Sequence, residues 1–126
     1  MELRVLDGTY ALCRLDGGSA LPSWFAFDPP LAAAVRRGED ELSLVVAGER
    51  VPAGVAAERG FRALEVQGPL DLAMTGVMAD LSGALARAGV PIMPLATYDT
   101  DVILVHDDRL ADATAALRAA GHTVEA

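Results

Sequence analysis

A run of five polar residues, Thr97-Tyr98-Asp99-Thr100-Asp101, is the segment of this chain best suited to bind another molecule. It lies between two apolar runs, at 91–96 and 102–105, each long enough to form a buried strand. Side chains at a tight turn between strands converge on one small region. Two carboxylates in such a turn repel each other unless a cation, a backbone donor or solvent faces at least one of them. The segment therefore predicts a recognition site rather than a catalytic centre.

The overall charge and hydropathy of the chain limit its partners. A net charge of −8 and a pI near 4.5 oppose association with polyphosphate backbones and anionic lipid, so we expect no nucleic-acid partner and no membrane partner. The apolar runs are all shorter than the ~18 residues of a transmembrane helix, and the start of the chain lacks the charge order of a secretory signal. We therefore expect a cytoplasmic protein.

The residue types exclude several kinds of enzyme. All 10 basic residues are arginines, which excludes Schiff-base chemistry and the anchoring of pyridoxal phosphate by this chain. Cys13 is the only cysteine and stands in a stretch with strand-like alternation, so we expect it in the core. His106 and His122 are too few and too far apart to suggest a metal site. The sequence predicts a protein that is not an enzyme and that uses no cofactor or metal.

The second half of the chain shows a clear order of elements. Apolar residues recur there first at strand spacing and then at helical spacing, with Asp71 at the predicted helix start and Asp107 or Asp108 as the cap of a second helix. The predicted order is a strand at 61–66, a helix at 71–88, strands at 91–96 and 102–106, a helix ending before Gly121, and a strand at 123–125. This order predicts an α+β fold of the ferredoxin-like (βαββαβ) type.

The first half is richer in strands than in helices. Strands are predicted at 2–6, 10–15 and 42–47, and a short helix is possible at 52–58. The alanine-rich residues 31–37 fit a helix and a strand equally well. We therefore predict two units, residues 1–60 and 61–126, of which the first is a helix-poor, degenerate counterpart of the second.

Three segments carry a resemblance to a known family. Residues 65–71 (EVQGPLD) lead into Thr75-Gly76-Val77, residues 95–101 (LATYDTD) contain the polar turn, and residues 51–60 look like a segment that joins two units. Together they resemble the ACT domain and, more narrowly, the small tandem-ACT proteins. These include bacterial proteins and the eukaryotic cytosolic arginine-sensor family. The resemblance is close in the second half, looser in the first, and weakest at 27–37.

This resemblance implies a regulatory module that binds a small-molecule ligand, above all an amino acid, and that is not itself catalytic. It also implies a homodimer, because ACT surfaces commonly pair and exposed sheet edges favour pairing. Whether the pocket forms within one chain or between two stays open. The alternative is a homodimerising interaction module whose ligand pocket is vestigial.

The predicted ligand site has a donor wall and an anionic wall. An amino acid presents a carboxylate and an ammonium group, so its site needs donors beside an acceptor. Backbone N–H groups at the predicted helix start, near Pro69 and Leu70, are candidates for the carboxylate, unless the side chain of Asp71 caps them. Asp101 is the candidate for the cationic group, in keeping with the resemblance, and its alternative role is to cap the turn.

Further residues complete this site. Tyr98 fits a ligand contact and a scaffold role equally well, Thr97 and Thr100 offer hydroxyls, and Asp99 is expected to face water, which would leave a single carboxylate in the pocket. A glycine inside a helix is costly, so Gly76 suggests a close approach of backbone or ligand. The complete predicted ligand-binding set is Pro69, Leu70, Asp71, Thr75, Gly76, Val77, Thr97, Tyr98, Asp99, Thr100 and Asp101.

Overall fold

The structure, a computed structural model, describes residues 1–71 and 73–126. Two short 3₁₀ turns, Gly48–Arg50 and Asp107–Arg109, accompany the regular elements. In chain order these are β1 (Glu2–Val5), β2 (Tyr10–Asp16), β3 (Ala33–Arg37), β4 (Glu41–Ala47), β5 (Ala57–Val66), α1 (Val77–Arg87), β6 (Met93–Ala96), β7 (Asp101–His106), α2 (Leu110–Ala119) and β8 (Thr123–Glu125). The order from β5 to β8 is βαββαβ, which confirms the predicted α+β ferredoxin-like fold.

Two compact units make up the chain. One is Gly8–Phe61, and the other combines Met1–Asp7 with Arg62–Ala126. The sequence predicts units of 1–60 and 61–126, whereas the structure groups Met1–Asp7 with the later residues. The physical reason is the pairing of β1, which runs antiparallel to the end of β5 and parallel to β8. Leu3 of β1 is fully buried in the core of that unit.

The unit Gly8–Phe61, described throughout, is a sheet without an α-helix. Its strand order is β3–β4–β2, followed by the first part of β5. Residues 33–37 form a strand, because pairing with β4 satisfies their backbone and tertiary context overrides the helical propensity of alanine. The helix considered for 52–58 is wrong, since β5 already begins at Ala57. Cys13 is buried here, as predicted.

β5 carries one extra residue opposite β2. Tyr10 pairs with Phe61, and Leu12 pairs with Glu58. An advance of two residues along β2 therefore corresponds to an advance of three residues along β5. Gly60 lies within this β-bulge with φ of 79°, a left-handed conformation that glycine adopts without steric cost.

The second unit packs two helices on a sheet in the order β8–β1–β5–β7–β6. Apolar residues that recur on one stripe of each helix bury against alternate residues of the strands. Its buried cluster is Leu3, Leu64, Val66, Leu81, Ala84, Leu85, Val90, Ile103, Val105, Ala113, Leu117 and Val124. Among the described residues, no helix has the length and apolar character needed to cross a bilayer.

The start of α1 differs from its prediction. The sequence predicts a helix from Asp71, but α1 begins at Val77, with Gly76 in the N-cap position at φ of 83°. The side chain of Asp71 accepts a hydrogen bond from the N–H of Ala73 at 2.9 Å, and its carbonyl accepts one from Met74 at 2.9 Å. These bonds close a local turn that competes with helix formation. Leu72 lies outside the described residues.

The ends of α2 confirm one prediction and correct another. Neither Asp107 nor Asp108 caps the helix, because both lie in the preceding 3₁₀ turn and Arg109 occupies the N-cap position without a side-chain cap. The predicted stop at Gly121 is confirmed. The N–H of Gly121 donates to the carbonyl of Arg118 at 3.0 Å, and the N–H of His122 donates to the carbonyl of Leu117 at 3.0 Å. These two hydrogen bonds define a Schellman motif.

Candidate functional site

The polar segment forms the tip of the β6–β7 hairpin. The N–H of Thr97 donates to the carbonyl of Thr100 at 2.8 Å, and the N–H of Thr100 donates back to Thr97 Oγ1 at 3.1 Å. The hydroxyl of Thr100 donates to the carbonyl of Val66 at 2.7 Å. Both threonine side chains therefore hold the turn and anchor it to the end of β5, a scaffold role in addition to the predicted ligand role.

The loop before α1 lies directly against this tip. The N–H of Leu70 donates to the carbonyl of Asp99 at 2.7 Å. A Cβ added to Gly68 would lie 3.0 Å from Leu70 N and 3.2 Å from Asp99 O, so the two segments approach closely here and a larger residue would force them to shift by a few tenths of an ångström. The two segments that the sequence places in one site are therefore adjacent in the structure.

Between loop and tip lies a cleft of about 170 Å³, which we call the acidic cleft. Its lining brings together eight of the predicted site residues. Pro69, Thr75 and Gly76 lie outside the lining. A Cβ on Gly76 would meet nothing within 4 Å in the described part of the chain, so a close backbone approach does not explain this glycine, whereas its left-handed backbone does. A close approach of a ligand stays a prediction. The described lining is Leu70, Asp71, Met74, Val77, Ala96, Thr97, Tyr98, Asp99, Thr100 and Asp101.

Two lining residues, Met74 and Ala96, are absent from the predicted set. Met74 follows the helical spacing of the predicted α1 and so looks like a core residue. It is 52% exposed because the helix starts only at Val77. Ala96 is the last residue of β6 and pairs with Asp101, and an alanine at a strand end gives no signal in the sequence.

Three acidic residues, Asp71, Asp99 and Asp101, line this cleft, and Asp99 is exposed, in keeping with the expectation that it faces water. None of the 10 arginines belongs to the described lining. One oxygen of Asp71 is occupied by the Ala73 N–H. Within residues 1–71 and 73–126, the carboxylates of Asp99 and Asp101 have no hydrogen-bond or ion-pair partner. Like charges in one small volume repel, so the cleft favours a positively charged group.

The helix start beside the cleft lies farther along the chain than predicted. Val77, the first residue of α1, lines the cleft. The first N–H groups of a helix have no partner within the helix and carry partial positive charge. The helix start that lines the cleft is therefore at Val77 rather than near Pro69, and the donor role of its N–H groups stays a prediction. Tyr98 stands at the rim with 81% of its surface exposed.

The βαββαβ unit, with a cleft between its hairpin tip and the start of its first helix, is a small α+β domain of the ferredoxin-like type. A family model described as the ACT domain matches residues 56–119, and a second family model, for an N-terminal domain, matches residues 8–54. This chain belongs to the ACT domain family. The resemblance stated from the sequence is confirmed at that level, and the narrower likeness to arginine sensors stays a prediction.

Solved structures share this fold. An Agobacterium tumefaciens protein is 30% identical with a TM-score of 0.90, and the match covers 98% of this chain and 90% of that chain. A Vibrio cholerae protein, described as of unknown function and as a possible transport protein, is 25% identical with a TM-score of 0.76 over 94% of this chain and 88% of its own.

The aspartate kinase regulatory subunit of Thermus flavus has a TM-score of 0.64 at 15% identity, covering 95% of this chain and 97% of that chain. At this identity, the likeness shows the fold alone. No match is found among curated proteins.

Proposed function

We propose that this protein is a non-catalytic cytoplasmic sensor whose acidic cleft binds an amino acid that carries a positively charged side chain. ACT domains typically bind amino acids in regulatory roles, which supports the general class of ligand. The observation that carries the proposal is the cleft itself, which combines three carboxylates with the first turn of a helix.

The charge of the cleft selects among amino acids. A basic side chain places its cation beside Asp101, which lies half-buried at the start of β7, and charge-assisted bonds of this kind are about twice as strong as neutral ones. The α-carboxylate then takes the donors of the first turn of α1. An acidic side chain would meet three carboxylates.

The described lining supports binding rather than catalysis. It includes no histidine, cysteine or lysine that would activate a nucleophile, and both threonine hydroxyls are engaged in the turn. The site therefore fits recognition by charge and shape.

The proposed function is tested by measuring the binding of a panel of free amino acids, first by thermal shift and then by calorimetry. A ligand at 100 times its dissociation constant adds about 2.7 kcal/mol, which raises the melting temperature by several degrees. We expect arginine or lysine to stabilise the protein, and glutamate and aspartate to have no effect. Asp101→Asn should weaken the binding of the basic amino acid by about 1–3 kcal/mol.

Glu39→Gln is the matched control, because it also removes one negative charge but lies exposed in a turn of the other unit. Equal affinities for Asp101→Asn, Glu39→Gln and the unmodified protein would remove Asp101 from the site. Binding of acidic rather than basic amino acids would contradict the role given to the three carboxylates.

A second candidate function is a homodimeric interaction module. It is favoured by two exposed side chains at the same rim, Tyr98 at 81% and Met74 at 52%, since exposed apolar groups beside a small cleft suit a protein contact. Analytical ultracentrifugation separates the two functions. A dimer that dissociates in Tyr98→Ser, with no response to any amino acid, would favour the interaction module over the sensor.

A further inference from the structure

β3, at the end of the sheet in the unit Gly8–Phe61, presents an open strand edge. Among the described strands, three pair with a single neighbour: β3 with β4, β6 with β7, and β8 with β1. An unpaired edge exposes backbone N–H and C=O groups to other strands, so proteins usually protect such edges by shortness, proline or charge. Two of these three edges are protected, because β6 contains Pro94 and β8 has only three residues.

β3 lacks both of these protections. It has five residues, and none of them is proline. Alternation places Ala34 against the core cluster of its unit and Val35 on the opposite face, where 58% of the Val35 surface is exposed. The middle residue of this edge is therefore β-branched, apolar and open to solvent, which favours pairing with a further strand.

The two arginines that end β3 are engaged within the chain. Arg36 donates to the carbonyls of Gly17 and Ser19, the second at 2.7 Å. Arg37 donates to the carboxylate of Glu41. Both guanidinium groups are thus held by neighbouring parts of the same chain, rather than extended from the strand edge as free charges that would repel an incoming strand.

We propose that β3 pairs antiparallel with β3 of a second copy of this chain, about a two-fold axis at Val35. In this register all five residues are paired. The facing pairs are Val35 with Val35, Ala34 with Arg36, and Ala33 with Arg37. Each arginine therefore lies opposite an alanine, whereas an axis at Arg36 would place two like charges opposite each other. The nearest like charges are then the two Arg36 side chains, which are diagonal neighbours held by carbonyls of their own chains.

The interface is small, so the dimer is weak. The pairing adds about four to six backbone hydrogen bonds, and it has far fewer than the ~20–30 residues a side of a standard interface. The net charge of −8 on each copy opposes association, but salt screens this long-range repulsion. The β3 edge and the acidic cleft belong to different units, and the proposal does not depend on the function proposed for the cleft.

Sedimentation equilibrium of the full chain, from about 10 µM to about 1 mM at ~0.15 M salt, measures the dissociation constant. We expect a reversible monomer–dimer equilibrium, with slower hydrogen exchange of β3 amides at the highest concentration. Val35→Lys and Val35→Glu should each weaken the dimer about 10-fold or more, because each places two like charges opposite each other at the axis. An equimolar mixture of the two variants should recover the dimer, since the facing side chains then carry opposite charges.

Thr123→Lys is the matched control, because it adds the same charge to the exposed edge strand β8 and should leave the dissociation constant unchanged. Circular dichroism checks that each variant is folded. The proposal is overturned if the protein stays monomeric at the highest concentration, if Val35→Lys dimerises as tightly as the unmodified protein, or if the mixture does not recover the dimer. A dimer that is lost in Tyr98→Ser but kept in Val35→Lys would also overturn it, since the contact would then lie at the rim of the acidic cleft.

Discussion

Replacing Gly68 by alanine tests the contact that holds the hairpin tip against the loop before α1. The added methyl group would lie 3.0 Å from Leu70 N, 3.2 Å from Asp99 O and 3.4 Å from Thr100 Cβ. The first two atoms belong to one hydrogen bond of 2.7 Å, and the third belongs to a side chain fixed by its bond to Val66. Each of these atoms would have to shift by a few tenths of an ångström, which weakens contacts that shape the acidic cleft.

The expected cost follows from these contacts. Overpacking costs about 1–3 kcal/mol, and loss of the Leu70–Asp99 bond adds about 1 kcal/mol. Alanine lowers the conformational entropy of the unfolded chain, which stabilises the folded protein by about 0.4–1 kcal/mol. We expect a net loss of about 1–3.6 kcal/mol, which corresponds to a fall in melting temperature of roughly 3–14 °C for a chain of this size.

Urea denaturation followed by circular dichroism gives the free energy of unfolding, and hydrogen exchange at the Leu70 amide gives the local effect. Gly18→Ala is the matched control, because a Cβ there meets nothing within 4 Å and its φ is not left-handed. The reasoning fails if Gly68→Ala is as stable as Gly18→Ala, or if the Leu70 amide keeps its protection.

Two further predictions concern stability. Thr100→Val removes the 2.7 Å bond to the Val66 carbonyl and should cost about 0.5–1.5 kcal/mol in urea denaturation, whereas Thr123→Val on the exposed edge strand should cost nothing. Burial and the nearby Met1 ammonium hold the pKa of His122 below its ordinary 6.5, against an opposing effect of Asp80. The unfolded chain thus binds more protons, so stability should fall as the pH drops below 6.5, and His122→Asn should flatten this profile.

The hairpin tip could be predicted because its signal is local. A polar pentad between two apolar runs has few structural solutions, and β6 and β7 appear close to their expected positions. The stop of α2 at Gly121 was equally visible, since a glycine after the last apolar residue is a local signal.

The start of α1 shows where local pattern fails. The spacing of Leu70, Met74 and Val77 is helical, but the Asp71 side chain bonds the backbone two residues later and Gly76 is left-handed. The segment is compatible with both a helix and a turn. The docking of the loop against Asp99 decides between them, and the sequence does not show this docking. For the same reason the sequence does not show that Met74 lines the cleft.

Residues 33–37 show the effect of context on propensity. Alanine favours a helix, but a segment this short gains more from five paired positions on β4 than from one and a half isolated turns. The partner strand lies beyond a turn, so the choice depends on tertiary pairing rather than on composition.

The position of β1 has a consequence for dissecting this protein. A fragment that begins at Arg62 would lose the strand between β5 and β8, along with the buried side chain of Leu3. Both neighbouring strands would then present bare backbone to solvent, and such edges recruit foreign strands and promote aggregation. A recombinant second domain needs residues 1–7 grafted back by a short linker, and insolubility of the simple truncation would say nothing about whether that domain can fold.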